Sequence, residues 1–161
     1  IFLGTALHFT FDFSGRNPLV GSFSAVNESV WEHLKLPFWP SLIWMAIEFY
    51  PLRKSIGNFF SAKAIGTIVM IVFIPAVFYA YTAFTEEILA VDIGTFLVAV
   101  IVGQIVSYSL FKQAKPLKST AAIAIIVIAL SAIIFVTFTF YPPHLSIFQD
   151  SNTGQYGIPG H

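Results

Sequence analysis

Cysteine is absent from the chain, which removes thiolate metal sites, disulfide staples and cysteine nucleophiles and leaves the redox compartment undecided. Charge is almost as scarce. Only 10% of the 161 residues are Asp, Glu, Lys or Arg, against roughly 25% in an ordinary soluble domain. So few charged groups cannot cover a water-facing surface, and lipid is therefore the expected solvent. Eight basic residues balance eight acidic ones without any basic run, which argues against a nucleic-acid partner. The sequence shows no internal repeat and no low-complexity segment, and its 161 residues leave no room for a soluble catalytic domain beside a membrane bundle.

Apolar residues, in contrast, make up 57% of the chain. Four stretches, 36–52, 64–84, 93–111 and 119–141, fall within the roughly 17–25 residues of a transmembrane helix. A fifth, 1–13, is shorter, and because the sequence opens at Ile1 it is expected to begin inside its first hydrophobic helix. A secretory signal would show a charged leader and a small-residue cleavage site, and neither is visible. Sheet is excluded on this reading, since an open edge in lipid leaves backbone groups unsatisfied. The expected fold is a single all-α integral membrane domain over 1–161. It has about five spanning helices, a short amphipathic interfacial helix near 25–35 and an irregular tail over 142–161.

Arg53, Lys54 and Lys63 flank one link between spans, and Lys112, Lys115 and Lys118 fill another. The positive-inside rule assigns these links to the cytoplasm. A five-span, multi-pass chain then has its amino end in the cytoplasm and its tail outside. Seven acids (Asp12, Glu28, Glu32, Glu86, Glu87, Asp92 and Asp150) and all four histidines (His8, His33, His144 and His161) map to the outer side, with Glu48 the exception. The charge rule does not cover histidine, so this gathering is the best functional hint in the sequence.

His8 and Asp12 are four residues apart and share one helix face. After Ser24 or Asn27 as helix cap, the segment to Lys35 puts Val30, Trp31 and Leu34 on one face. Glu28, Ser29, Glu32 and His33 fall on the other, before Pro37 and Pro40 redirect the chain. Pro142 and Pro143 end the last helix and leave His144 at its mouth, and the tail is expected to fold back and bring His144 and Asp150 to the site. The Asp150-Ser-Asn-Thr-Gly pattern is shared with calcium loops but lacks their remaining ligands. Imidazole and carboxylate suit a divalent metal, zinc first. The expected ligands are His8, Asp12, His33 and His144, with Glu28 or Glu32 as general base in a hydrolase taking an amphiphilic or lipid-derived substrate from the outer leaflet.

Two other readings stand beside this one. Glu48, Gln104 and the mid-helix Pro75 are features of a small transporter or channel, although Glu48 is also about one turn from Arg53 and Lys54, close enough for an interfacial ion pair. Ala99, Gly103 and Ser107 recur every four residues as a small-xxx-small stripe, suited to a partner helix or oligomer in a non-catalytic accessory subunit.

The segment Asn27-Glu-Ser-Val-Trp-Glu-His-Leu34 resembles the Asn-Glu-Thr…Trp-Thr-His-Leu signature of progestin and adipoQ receptors, a group that extends to alkaline ceramidase-like membrane hydrolases. Two fewer residues separate Glu28 from Trp31, and that family has seven spans with the segment on the inside. The resemblance implies a zinc-bound water, held by histidines and helped by Ser and Asp, attacking an amide or ester. As a whole the chain resembles small uncharacterised integral-membrane families of prokaryotes.

Overall fold

A computed structural model describes residues 1–53, 57–112 and 118–158. Within the described residues seven α-helices run in order: α1 (Phe2–Phe13), α2 (Pro18–Gly21), α3 (Val30–His33), α4 (Lys35–Leu52), α5 (Phe59–Thr82), α6 (Leu89–Phe111) and α7 (Lys118–Phe140), followed by a 3-10 turn (Ser146–Phe148). The described residues contain no strand, and Gln149 and Tyr156 form an isolated antiparallel bridge. All-α architecture is therefore the observed class.

Among the described residues three helical segments, Phe59–Thr82, Leu89–Phe111 and Thr120–Phe140, are long and apolar enough to cross a membrane, where five were expected. The 12 residues of α1 reach about 18 Å at ~1.5 Å per residue, well short of a hydrocarbon core of about 30 Å. The 18 residues of α4 include Lys35, Glu48 and three prolines. Pro37 falls in the first turn of α4, where a missing N–H costs nothing. The helix therefore runs on through Pro37 and Pro40, which were expected to redirect the chain, and its bounds lie close to the expected 36–52.

The chain divides into two compact units, one of Ile1–Pro40 with the chain from Ala129 onward, the other Ser41–Ile128. In the second unit α5 and α6 pack along their length. The buried residues of α5, among them Ala62, Gly66, Met70 and Ile74, form a stripe at helical spacing. Those of α6 (Thr95, Ala99, Gly103 and Ser107) recur every four residues. The helices meet at two glycines, since a Cβ on either Gly66 or Gly103 would lie 2.6 Å from the other's carbonyl oxygen. The partner helix of this small-residue stripe is thus the chain's own α5. At the end of the pair the Tyr81 hydroxyl donates to Asp92 Oδ1 at 2.7 Å.

Glu48 does not pair with Arg53. Lys63, buried in the second turn of α5, makes its ion pair, and the Arg53 guanidinium sits 4.5 Å above the Tyr50 ring. Lys54, Lys115 and His161 lie outside the described residues. Gln104 borders a polar crevice together with Ser41, Lys63, Thr67 and Ser107.

In the first unit, Gly15 and Arg16 take positive φ values of 70° and 63° and turn the chain after α1. Asn17 then caps α2, its Oδ1 accepting the Leu19 N–H at 2.9 Å. Around Trp31 the rings of Phe135, Phe138 and Phe148 close to centroid distances of 4.8, 5.5 and 4.7 Å. This aromatic cluster docks the 3-10 turn of the tail beside α3.

Candidate metal centre

The expected amphipathic surface helix over 25–35 is instead a buried polar scaffold ending in the single turn α3. Ser29 caps it, its Oγ accepting the Glu32 N–H, so neither Ser24 nor Asn27 has that role. Ser24, fully buried, instead bridges one turn of α1, its Oγ accepting the Phe11 N–H at 3.0 Å and donating to the Leu7 carbonyl. His8 lies in that bridged turn. Glu32 turns inward, where its Oε2 accepts from the Lys35 ammonium at 2.6 Å and the Val26 N–H at 3.0 Å. Lys35, also fully buried, donates further to the carbonyls of Gly21 at 2.8 Å and Ser24 at 3.3 Å. An ammonium has three protons, and here three acceptors meet them. Burial pushes the Glu32 carboxyl up, with Lys35 opposing.

This scaffold presents His33 at the end of α3 and Glu28 in the preceding loop, facing His8 of α1. His8 Nε2 lies 3.1 Å from His33 Nε2 and 3.6 Å from Glu28 Oε2, and His33 Nε2 lies 3.3 Å from the same oxygen. His33 Nδ1 is 2.9 Å from the Ser29 carbonyl oxygen. His8 Nδ1 is buried without a hydrogen-bond partner among the described residues. The three side chains are partly open, at 27% exposed for His8, 42% for Glu28 and 33% for His33. His33, then His8, hold the Glu28 carboxyl well below the usual carboxylate range, against the opposing effect of burial. Burial works to lower His33, but Glu28 and the Ser29 carbonyl outweigh it and its pKa is raised.

Three donors about 2.0–2.2 Å from a tetrahedral zinc lie roughly 3.3–3.6 Å from one another. Two of the separations, 3.3 and 3.6 Å, fall in that range and the third, 3.1 Å, lies just below it, and these residues form a group that could hold a metal ion.

The other expected ligands lie elsewhere. Asp12 is exposed and pairs with Arg16, four residues on, at 3.3 Å. His144 is exposed and packs against Tyr156 in a tilted pair with centroids 4.7 Å apart. Glu32, expected as a base, is committed to Lys35. Asp150 does come back to the site, but through its carboxylate on the Glu28 backbone. Both its oxygens accept N–H groups, and among the described residues Asp150 is not part of a group that could hold a metal ion. Sequence reasoning missed the roles of Ser24, Ser29 and Lys35. Ser29-x-x-Glu32 is a legible capping signature, and a lysine flanked by apolar residues was the signal for burial.

No curated protein and no solved structure matches the chain. Residues 1–158 match the family of unknown function DUF6512, and the chain belongs to that family.

Proposed function

We propose that the chain is a multi-pass membrane protein that binds one divalent transition metal, zinc first, through His8, Glu28 and His33, and uses it for hydrolysis. The observation that carries this reading is the mutual spacing of the three donor atoms. Three protein ligands leave the fourth position to water or substrate, the pattern of catalytic rather than structural zinc. The metal would supply Lewis acidity and an activated water at neutral pH. Glu28 acts as ligand and Glu32 as support. Partial exposure of all three side chains gives a substrate access, and the apolar character of the chain favours an amphiphilic one. A transport role for Glu48 is less well supported, because Lys63 already neutralises its charge.

In this reading α4 adds a fourth crossing. The shorter α1 reaches only part of the way through the bilayer, its amino end toward the cytoplasm, and the tail and metal centre lie at the outer face. The links rich in Lys and Arg support that orientation. Because the chain has no cysteine, single-cysteine labelling tests it cleanly, with Asn152→Cys reacting from outside and Arg53→Cys from inside.

The metal reading is tested by mass spectrometry of protein purified in mild detergent without chelator or histidine tag, beside His8→Ala/His33→Ala. Near one zinc per chain, lost in the variant, supports it. A wild type that neither contains nor takes up a divalent metal overturns it.

A further inference from the structure

Residues more than 120 positions later in the chain hold the backbone of Glu28. The Glu28 N–H donates to Asp150 Oδ2 at 3.2 Å, and the Ser151 hydroxyl donates to the Glu28 carbonyl at 3.2 Å. One residue earlier, Asn27 Nδ2 donates to the Gly157 carbonyl at 2.9 Å, while its Oδ1 accepts the Ser29 N–H at 2.9 Å. Loop 27–29 is therefore tied to the tail at three points, on both sides of one candidate ligand.

The tail has the internal order to act as a fixed grip. Asp150 Oδ1 accepts the N–H groups of Asn152 and Thr153, both at 2.8 Å. Its main chain closes the turn, Asp150 N–H donating to Gln155 O and Gly154 N–H to Asp150 O, both at 2.9 Å. Asp150 is buried, at 6% exposed. Burial works to raise its pKa, but the N–H groups of Thr153, Glu28 and Asn152 outweigh that and lower it. Phe148 anchors the start of the segment against Trp31 and Phe138. Nothing else in the proposed chemistry needs an aspartate here.

We propose that the tail segment 148–157 is a clasp in which Asp150 and Ser151 are positioning residues, setting Glu28 for the metal so that tail docking and metal occupancy are coupled. The inference rests on the metal reading above. Without the grip, Glu28 sits on a loop whose ordering metal binding must accomplish; with it, the ligand is preorganised. Coupling of this kind is reciprocal, so the factor by which docking tightens metal binding is the factor by which metal stabilises docking. Occupancy of the centre is thereby communicated to the exposed tail surface around Ser151 and Asn152.

The experiment measures zinc Kd by chelator competition in detergent for wild type, Asp150→Asn and Ser151→Ala, with hydrogen exchange of the tail amides with and without zinc. Loss of a group that supports a metal ligand typically weakens affinity about 10–100-fold, and that is expected for Asp150→Asn, with a smaller loss for Ser151→Ala. Zinc should slow exchange over 150–157 in the wild type. In a Glu28→Gln background, Asp150→Asn should add little further loss, which a merely structural aspartate would not reproduce. Should Asp150→Asn fail to fold, the exposed Ser151→Ala and the wild-type exchange decide the matter. Unchanged Kd in the folded variants, or tail exchange indifferent to zinc, overturns the clasp alone. A wild type that takes up no zinc overturns the metal reading and the clasp with it.

Discussion

His33 Nδ1 lies 2.9 Å from the carbonyl oxygen of Ser29, and this bond decides which nitrogen faces His8 and Glu28. A carbonyl oxygen only accepts, so Nδ1 carries a proton, and in the neutral ring the Nε2 lone pair is directed at the other two side chains. Anchoring of the distal nitrogen is the usual device for orienting a metal-binding imidazole. Ser29 is therefore both the cap of α3 and the group that aims His33.

The first prediction separates the three convergent side chains from the two expected from sequence alone. His8→Ala, Glu28→Gln and His33→Ala should each weaken zinc affinity by more than the about 10–100-fold typical of losing a group that only supports a ligand. Asp12→Asn and His144→Ala should bind as the wild type does. The check is the same chelator competition on all five proteins, and zinc lost on removing Asp12 or His144 would redraw the site.

The second prediction concerns pH. The raised His33 pKa means that its partnership with Glu28 stabilises the metal-free protein fully below the ordinary imidazole value of about 6.5. That contribution is lost as pH rises through the folded-state value. Glu28, held low, has the opposite sign: its contribution is present above the ordinary carboxylate range and is lost only as pH falls through its depressed value. Zinc needs the imidazoles neutral, so its affinity should tighten as pH rises over the interval in which the metal-free protein loses stability. Melting of metal-free protein and zinc titration, both from pH 6 to 9, should show these opposed trends.

The helices were legible because long apolar runs have few other readings. Their ends were less so. α5 begins at Phe59, not near residue 64, because Lys63 hides its charge against Glu48, and a lysine in sequence reads as a boundary. Residues 25–35 misled for the same reason. Ser29 and Glu32 look like part of a water-facing stripe until they are found, with Ser24 and Lys35, to satisfy one another in the interior. His8 and His33 stood out because no topological rule explains histidines. Asp12 was drawn to His8 by a four-residue spacing it shares equally with Arg16. The grip of Asp150 on Glu28 spans 122 positions, and no local pattern in one sequence encodes it.

The third prediction tests whether Glu32 is scaffold or base. Removing one member of a buried ion pair costs about 3–5 kcal/mol, because the other charge is left uncompensated. Glu32→Gln and Lys35→Met should each destabilise by about that amount, while Glu32→Gln/Lys35→Met should cost less than their sum. Every variant that folds should retain one zinc. Unfolding titrations in detergent give the energies and metal analysis the stoichiometry. A stable Glu32→Gln protein would deny the pair its structural role.

The fourth prediction sets two glycines of α6 against each other. A Cβ on Gly103 would fall 2.4 Å from Met70 Cγ and 2.6 Å from the Gly66 carbonyl oxygen, whereas one on Gly94 meets nothing within 4 Å. Met70 can swing aside, but the carbonyl belongs to the α5 backbone and moves only if the helices part. Gly103→Ala should therefore cost about 1–3 kcal/mol, the usual range for overpacking. Gly94→Ala should be neutral or gain about 0.5–1 kcal/mol, since glycine in a helix is more costly than alanine. The two changes add the same methyl group to the same helix, so helix propensity cancels between them and the difference in unfolding free energy reports the α5–α6 contact alone. Equal effects at the two positions would mean that α5 and α6 do not approach each other at Gly66 and Gly103.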